Sequence, residues 1–256
     1  MPPHYGAVSG ALHNYSNAQA LSALAWLVDA GVDTLVDDAP FDWLAAPVPV
    51  QMPPPTAVEP LVPCEAKAIV KARAAVVSAD TLSALEAALC DFDGCTLAAY
   101  GAPLFAAGKP GSAVMLIGDA PLADGVFAGP AGLLLDRMLA AIGLSRDGAY
   151  LANLVYWPTP GGRPPAPAEI AACAPFLARH IELAAPRVVL ALGGAAAAAL
   201  TGIDSGINRL RGHWQTGANG VAVLPTFHPT QLLAQPTLKA LAWRDLLTLK
   251  AKLTDA

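Results

Sequence analysis

The stretch RVVLALGGAAAAALTG, residues 187–202, contains the pattern that decides the fold: a short apolar run passes into a helical segment. Helical segments also separate the earlier apolar runs, and a last helix is predicted from about 238 to 252. Because strands that alternate with helices form parallel sheets covered on both faces, we predict an α/β/α sandwich, a three-layer α/β fold around a central four-stranded parallel sheet. The other three strand-like runs are AVMLIG (113–118), YLANLVY (150–156) and VAVLPTF (221–227).

The residues before this region have a different pattern. Apolar residues at helical spacing predict a helical arm over 17–46. Residues 46–63 are dense in proline, which fits neither a helix interior nor a sheet interior, and they predict an extended linker. We therefore predict an N-terminal helical and Pro-rich extension at 1–64 and a globular domain at 65–256.

Composition narrows the class of protein. A hydrophobic content of 55% with 14% charged residues is typical of a compact globular chain. The net charge of −5 gives no general nucleic-acid signature, so DNA binding would need a local basic patch. No apolar run reaches the ~18 residues of a membrane span, and no signal-peptide pattern is present. We expect a cytoplasmic protein without a membrane partner, and the irregular cysteine spacing does not favour a disulfide framework.

The segments that follow the predicted strands are the candidate binding regions. Ligands of open α/β sheets bind beyond the carboxyl ends of the parallel strands. The segment HPTQ, which begins at His228, follows the last strand and therefore lies at this edge. A histidine that only caps the end of a strand is the alternative interpretation.

Five segments occur in order along this half of the chain: GDAPL (118–122), VFAGPAGLLLDRML (126–139), ANLVYWPTPGGR (152–163), INRLRGHW (207–214) and PTFHPTQLL (225–233). Together they resemble the uracil-DNA glycosylase superfamily, and most of all its family 4, from about residue 95 to the carboxyl end. The resemblance implies an enzyme that hydrolyses the N-glycosidic bond of uracil, or of a related deaminated base, in DNA during base-excision repair. It also implies a monomer whose partner is DNA.

The resemblance assigns a role to each matching residue. Phe127 is the ring on which the base stacks once it has left the DNA helix. Asn153 reads the uracil edge, since a side-chain amide both donates and accepts hydrogen bonds. His228 stabilises the negative charge that forms at uracil O2 as the bond breaks, and Asp119 organises the attacking water. Two more residues of the first motif belong to the substrate-binding set: Gly118 and Ala120.

Each role has a structural alternative. Phe127 could be an ordinary core residue, Asn153 a turn-forming residue, and Asp119 a cap for the following loop. Asp119 is one methylene shorter than the family's glutamate, and the loop from Pro121 to Phe127 is shorter than the family's. A catalytically weakened or inactive relative that binds DNA or damaged bases is therefore the second hypothesis. A small-ligand-binding protein with no role on DNA, favoured by the acidic net charge, is the third.

Basic residues supply the predicted DNA contacts. By resemblance, Arg209 and Arg211 form the loop that contacts DNA, and Arg163 adds to the same face. Contacts of arginine with phosphates would provide affinity that does not depend on base sequence. Solvated surface arginines are the alternative.

The cysteines depart from the family's pattern. Members of family 4 carry a [4Fe–4S] cluster on four cysteines, and here only Cys95 and Cys173 match the ligand positions. The other two positions fall on Phe92 and Trp157, which cannot bind iron. We therefore expect no cofactor and no metal, with aromatic packing in place of the cluster. Two other cysteines stay open as replacement ligands: Cys64 and Cys90.

Overall fold

A computed structural model of the chain describes residues 64–254. The helical arm predicted at 17–46 and the linker at 46–63 lie outside the described residues. The boundary between 64 and 65 therefore stays a prediction. Of the helices in the described part of the chain, none is both long and apolar enough to cross a membrane.

The described residues form six strands and eight α-helices. The strands are β1 (Ala107–Gly108), β2 (Val114–Gly118), β3 (Tyr150–Asn153), β4 (Val188–Leu192), β5 (Gln215–Thr216) and β6 (Ala222–Thr226). The helices are α1 (Cys64–Val77), α2 (Leu82–Cys90), α3 (Gly129–Ala141), α4 (Pro167–Ala184), α5 (Gly194–Thr201), α6 (Ile207–Leu210), α7 (Pro229–Ala234) and α8 (Lys239–Thr254). The last helix begins at Lys239, within one residue of the predicted start.

One sheet joins all six strands in the order β1-β3-β2-β4-β6-β5. The four central strands are parallel, which confirms the predicted central sheet. Strands β1 and β5 are antiparallel additions at the two edges, and the sequence pattern does not predict them. Each has only two residues, which is too short to show the period-two alternation by which a strand is recognised.

Helices cover both faces of the sheet, so the three-layer sandwich is confirmed. Successive residues of a strand point to opposite faces. Leu116 and Leu190 point to the face covered by α3, α7 and α8, while Ile117 and Val189 point to the face covered by α4 and α5. This burial on both faces explains why β2 and β4 are continuous apolar runs rather than alternating ones. Helices α1 and α2 pack on α4 and form a third buried cluster.

Candidate active site

A cavity of about 410 Å³ opens at the carboxyl edge of the parallel strands. Its walls come from the segments after β2, β3 and β6, which is where the sequence pattern places ligand binding. Five of the predicted site residues line it: Asp119, Ala120, Phe127, Arg163 and His228.

Phe127 is buried and has an unusual backbone conformation. Its φ of 50° lies in the left-handed region, which large side chains rarely adopt. Its ring passes so close to Gly118 that a Cβ at that position would lie 2.5 Å from Phe127 Cζ and 2.9 Å from Asn153 Oδ1. Gly118 therefore leaves the space in which this ring and the Asn153 amide come together.

Asn153 ends strand β3 and is buried, with 1% of its surface exposed. Neither its Oδ1 nor its Nδ2 has a hydrogen-bond partner among the described residues. Leaving a buried polar group without a partner costs about 1–3 kcal/mol, and such groups are rare in folded proteins. The amide can pair with a ligand that presents one donor and one acceptor side by side.

Asp119 follows β2, and its Oδ1 atom is buried without a hydrogen-bond partner among the described residues. Burial raises the pKa of this carboxyl group to about 6, although a hydrogen bond from the backbone N–H of Ala196, in the first turn of α5, acts in the opposite direction. Asp119 is thus a carboxylate that titrates close to neutral pH. A group with such a pKa can accept a proton from water under physiological conditions.

Gly193 lies between Asp119 and His228 and is not one of the site residues predicted from the sequence. A Cβ at this position would lie 3.4 Å from both Asp119 Oδ2 and His228 Cβ, and its φ of 103° favours glycine. The two glycines after the apolar run of β4 were the only sequence signal for this close approach. The end of β4 therefore brings the two predicted catalytic residues close together.

His228 is the N-cap residue of α7 and also lines the cavity. Its Nδ1 atom accepts a hydrogen bond of 3.2 Å from the backbone N–H of Thr230. Burial lowers the pKa of the imidazole to about 4, so the ring is neutral at physiological pH. Since Nδ1 is the acceptor, Nε2 carries the proton of the neutral ring and is a hydrogen-bond donor. The ring centre lies 5.9 Å from that of Phe127.

The short loop after Pro121 folds into a tight turn. Two backbone hydrogen bonds close it, from Leu122 N–H to Gly125 O at 3.2 Å and from Gly125 N–H to Leu122 O at 3.0 Å. The Leu122 side chain is exposed at the cavity. The shortening noted in the sequence therefore leaves an exposed apolar residue at the mouth of the site.

The three arginines predicted to contact DNA differ in their surroundings. Arg209 lies on α6, is exposed, and makes no ion pair with any described residue. Arg163 lines the cavity and donates from Nη1 to Oε2 of Glu169 at 2.9 Å. Their roles in DNA binding stay predictions.

Arg211 is held by protein groups on several sides. Its Nε atom donates to Asp245 Oδ2 at 3.1 Å, and Nη2 donates to the carbonyl of Leu241 at 2.6 Å. The guanidinium also lies over the ring of Phe227, 5.3 Å from its centre. Only 16% of the Arg211 side chain and 2% of the Asp245 side chain are exposed. The structure thus gives Arg211 a packing role, and its predicted DNA contact stays untested.

We expect Arg211→Ala to lower the free energy of unfolding by about 3 kcal/mol, because it leaves the buried carboxylate of Asp245 without a positive charge to pair with. Arg209→Ala is the matched control and should change this free energy by less than about 0.5 kcal/mol, since Arg209 is exposed. Chemical denaturation of the two variants and of the unchanged protein measures both values. Equal stability of the two variants would contradict this prediction.

The four positions that correspond to cluster ligands lie together in one buried group. Phe92, Cys95, Trp157 and Cys173 all belong to it. A hydrogen bond between the two thiols lowers the pKa of Cys95 and raises that of Cys173. Phe92 packs against Phe176 with 5.0 Å between ring centres.

This donor set does not fit a [4Fe–4S] cluster. Iron–sulfur clusters are held by thiolates, and only two of the four positions are cysteines. In residues 64–254 no group of three or more histidine, cysteine or acidic side chains is placed to hold a metal ion. Cys90 is exposed at the end of α2, outside the buried group, and the side chain of Cys64 lies outside the described residues.

A parallel sheet with an aromatic ring, an unpaired amide, a carboxylate and a neutral imidazole at its carboxyl edge defines an α/β/α protein with a cavity at the position where such folds bind their ligands. The comparisons with known proteins then give the family. The model of the Uracil DNA glycosylase superfamily matches residues 105–247, more than half of the chain, and the chain belongs to this superfamily.

Several relatives agree on the branch of the family. The chain is 40% identical over 108 residues to the type-4 uracil-DNA glycosylase of Thermotoga maritima; the aligned residues are 42% of this chain and 56% of that protein. It is 32% identical over 151 residues to the type-4 uracil-DNA glycosylase of Sulfurisphaera tokodaii (54% and 69%). It is also 32% identical over 162 residues to that of Saccharolobus solfataricus (58% and 74%). The resemblance to family 4 that the motifs indicated is thereby confirmed.

Proposed function

We propose that this protein is a uracil-DNA glycosylase, which hydrolyses the N-glycosidic bond of uracil or of a related deaminated base in DNA. The observation that supports it most is the buried, unpartnered amide of Asn153 close to Phe127, a residue that lines the cavity together with the neutral His228. A cavity of about 410 Å³ is large enough for a single base. DNA is the proposed partner, bound by a monomer in the cytoplasm.

The first task of the site is to hold a base outside the DNA helix. Once the base has left the stack, the ring of Phe127 offers a face on which it can lie. The Asn153 amide donates to uracil O4 and accepts from N3–H, so that both of its unpaired atoms gain partners. Cytosine presents the opposite donor and acceptor pattern at these two positions and would pair poorly.

The second task is to break the bond between the sugar and the base. The electron pair of the bond leaves with the uracil, which places negative charge on O2, and the sugar gains oxocarbenium character. The Nε2–H group of His228 donates a hydrogen bond to O2. A water molecule adds to the sugar carbon, and ionised Asp119 accepts its proton.

An excision assay tests this proposal. The protein is incubated with single- and double-stranded oligonucleotides that contain one uracil, and abasic sites are revealed by alkaline cleavage. Matched oligonucleotides with thymine in place of uracil are the control. Cleavage at uracil alone supports the proposal.

Salt-sensitive DNA binding without cleavage would instead favour the catalytically weakened relative, which the short turn at Leu122 and the short side chain of Asp119 also favour. If the protein neither cleaves nor binds the oligonucleotides, both hypotheses are contradicted.

We further propose that the domain folds without an iron–sulfur cluster, with Phe92 and Trp157 packed where ligands would be. Protein purified without oxygen should then contain far less than one cluster's iron per chain and show no visible iron–sulfur absorption band. Iron analysis and absorption spectroscopy measure this. Stoichiometric iron, retained through gel filtration, would contradict the proposal.

A further inference from the structure

The conformation of Phe127 requires a restraint. A non-glycine residue in the left-handed region is held there at a cost of about 1 kcal/mol or more, and it persists only where surrounding groups fix it. The Phe127 ring is at the centre of the proposed base-binding site, so the group that fixes this residue also fixes the ring.

Arg146 is in contact with this stretch of backbone. It lies in a short turn immediately before β3, nineteen residues along the chain from Phe127. Its Nη2 atom donates to the carbonyl of Phe127 at 2.9 Å, and Nη1 donates to the carbonyl of Val126 at 3.2 Å. Its Nε atom donates to Asp136 Oδ1 on α3 at 2.9 Å. One planar guanidinium thus holds two successive carbonyls and a helix at fixed angles.

Gly132 packs directly against the same carbonyl. A Cβ at Gly132 would lie only 1.8 Å from the Phe127 carbonyl oxygen and 3.2 Å from Arg146 Nη2. The oxygen therefore lies against both the first turn of α3 and the arginine. This leaves little room for the Phe127 peptide to rotate.

We propose that Arg146 is a positioning residue for the base-binding site, and that it holds Phe127 in the left-handed conformation that presents its ring to the flipped base. The expected effect of Arg146 on excision rests on the proposed function. Arg146 lies outside the motifs that matched the family, and it does not line the cavity itself.

The test compares Arg146→Ala with Arg179→Ala. Arg179 is a matched control, because 30% of its side chain is exposed, compared with 32% for Arg146. Like Arg146, it donates hydrogen bonds to a backbone carbonyl, that of Ala79, and to carboxylates, those of Asp80 and Glu182. In Arg146→Ala we expect kcat for uracil excision to fall about tenfold, the order of one lost base–aromatic stacking contact. The KM for the oligonucleotide should stay within about twofold, because phosphate contacts position the DNA.

Amide hydrogen exchange provides a readout that does not depend on activity. In Arg146→Ala, exchange should accelerate at residues 126–132 and stay unchanged in the sheet, whereas Arg179→Ala should leave residues 126–132 unchanged. Unchanged kcat in Arg146→Ala, or an equal loss in Arg179→Ala, would overturn the proposal. If the unaltered protein excises no uracil, the proposed function fails. In that case the exchange experiment still tests the role of Arg146, because unchanged exchange at residues 126–132 in Arg146→Ala would show that Arg146 does not hold Phe127.

Discussion

His228→Ala is expected to lower the rate of uracil excision by about 10²–10³-fold, the loss typical of removing one hydrogen-bond donor aimed at a developing negative charge. The ring is neutral because burial lowers its pKa to about 4, and its remaining proton is on Nε2. Without this donor, the charge that forms on uracil O2 would lose the hydrogen bond that stabilises it. Single-turnover excision of uracil from a single-stranded oligonucleotide measures the effect.

Two further variants separate this role from the structural one. His228 also caps α7, and losing a cap costs about 1 kcal/mol of stability. His228→Asn keeps a side-chain oxygen that can accept from the Thr230 N–H but removes the Nε2 donor, so it should lose activity almost as severely as His228→Ala. His213→Ala removes an exposed histidine and should change the rate by less than about twofold. A loss below about tenfold in both His228 variants would contradict the assignment of this residue.

The central sheet could be predicted from the sequence because its strands are buried on both faces. Burial of that kind produces apolar runs of four or more residues, as in β2 and β4, and the rule that ligands bind beyond the carboxyl ends then locates the cavity. The edge strands β1 and β5 left no such run. Their pairing depends on where β3 and β6 lie in space, which a pattern along the chain does not contain.

The cavity-lining residues were predictable where a motif surrounds them, and the residues that support them were not. Asp119, Phe127 and His228 lie in short segments that resemble a family and meet at one cavity. Arg146 and Gly193 act through contacts with residues distant in sequence, so their own neighbours give no signal. For Arg211, the motif predicted a role that the structure does not show. Its segment predicted an exposed DNA contact, whereas its guanidinium pairs with Asp245, 34 residues later in the chain.

The pH dependence of excision is expected to follow Asp119. Burial raises the pKa of this carboxyl group to about 6, so the rate should rise as the pH increases through about 6 and level off above it. His228 stays neutral in this range, since its pKa is lowered to about 4. Asp119→Asn should lower the rate at pH 8 by about 100-fold and abolish the rise near pH 6. Asp124→Asn makes the same chemical change at an exposed carboxylate five residues away and should keep the wild-type profile.

The same substitution should move stability in the opposite direction. A carboxyl group whose pKa is higher in the folded state favours folding while it is protonated, and this contribution is lost as the pH rises through about 6. At pH 8 the ionised Asp119 therefore destabilises the fold, and Asp119→Asn should raise the free energy of unfolding by about 2 kcal/mol. At pH 4 the two proteins should differ less. Lower activity together with higher stability at pH 8 cannot arise from misfolding, whereas a variant that loses both would contradict the role given to this carboxylate.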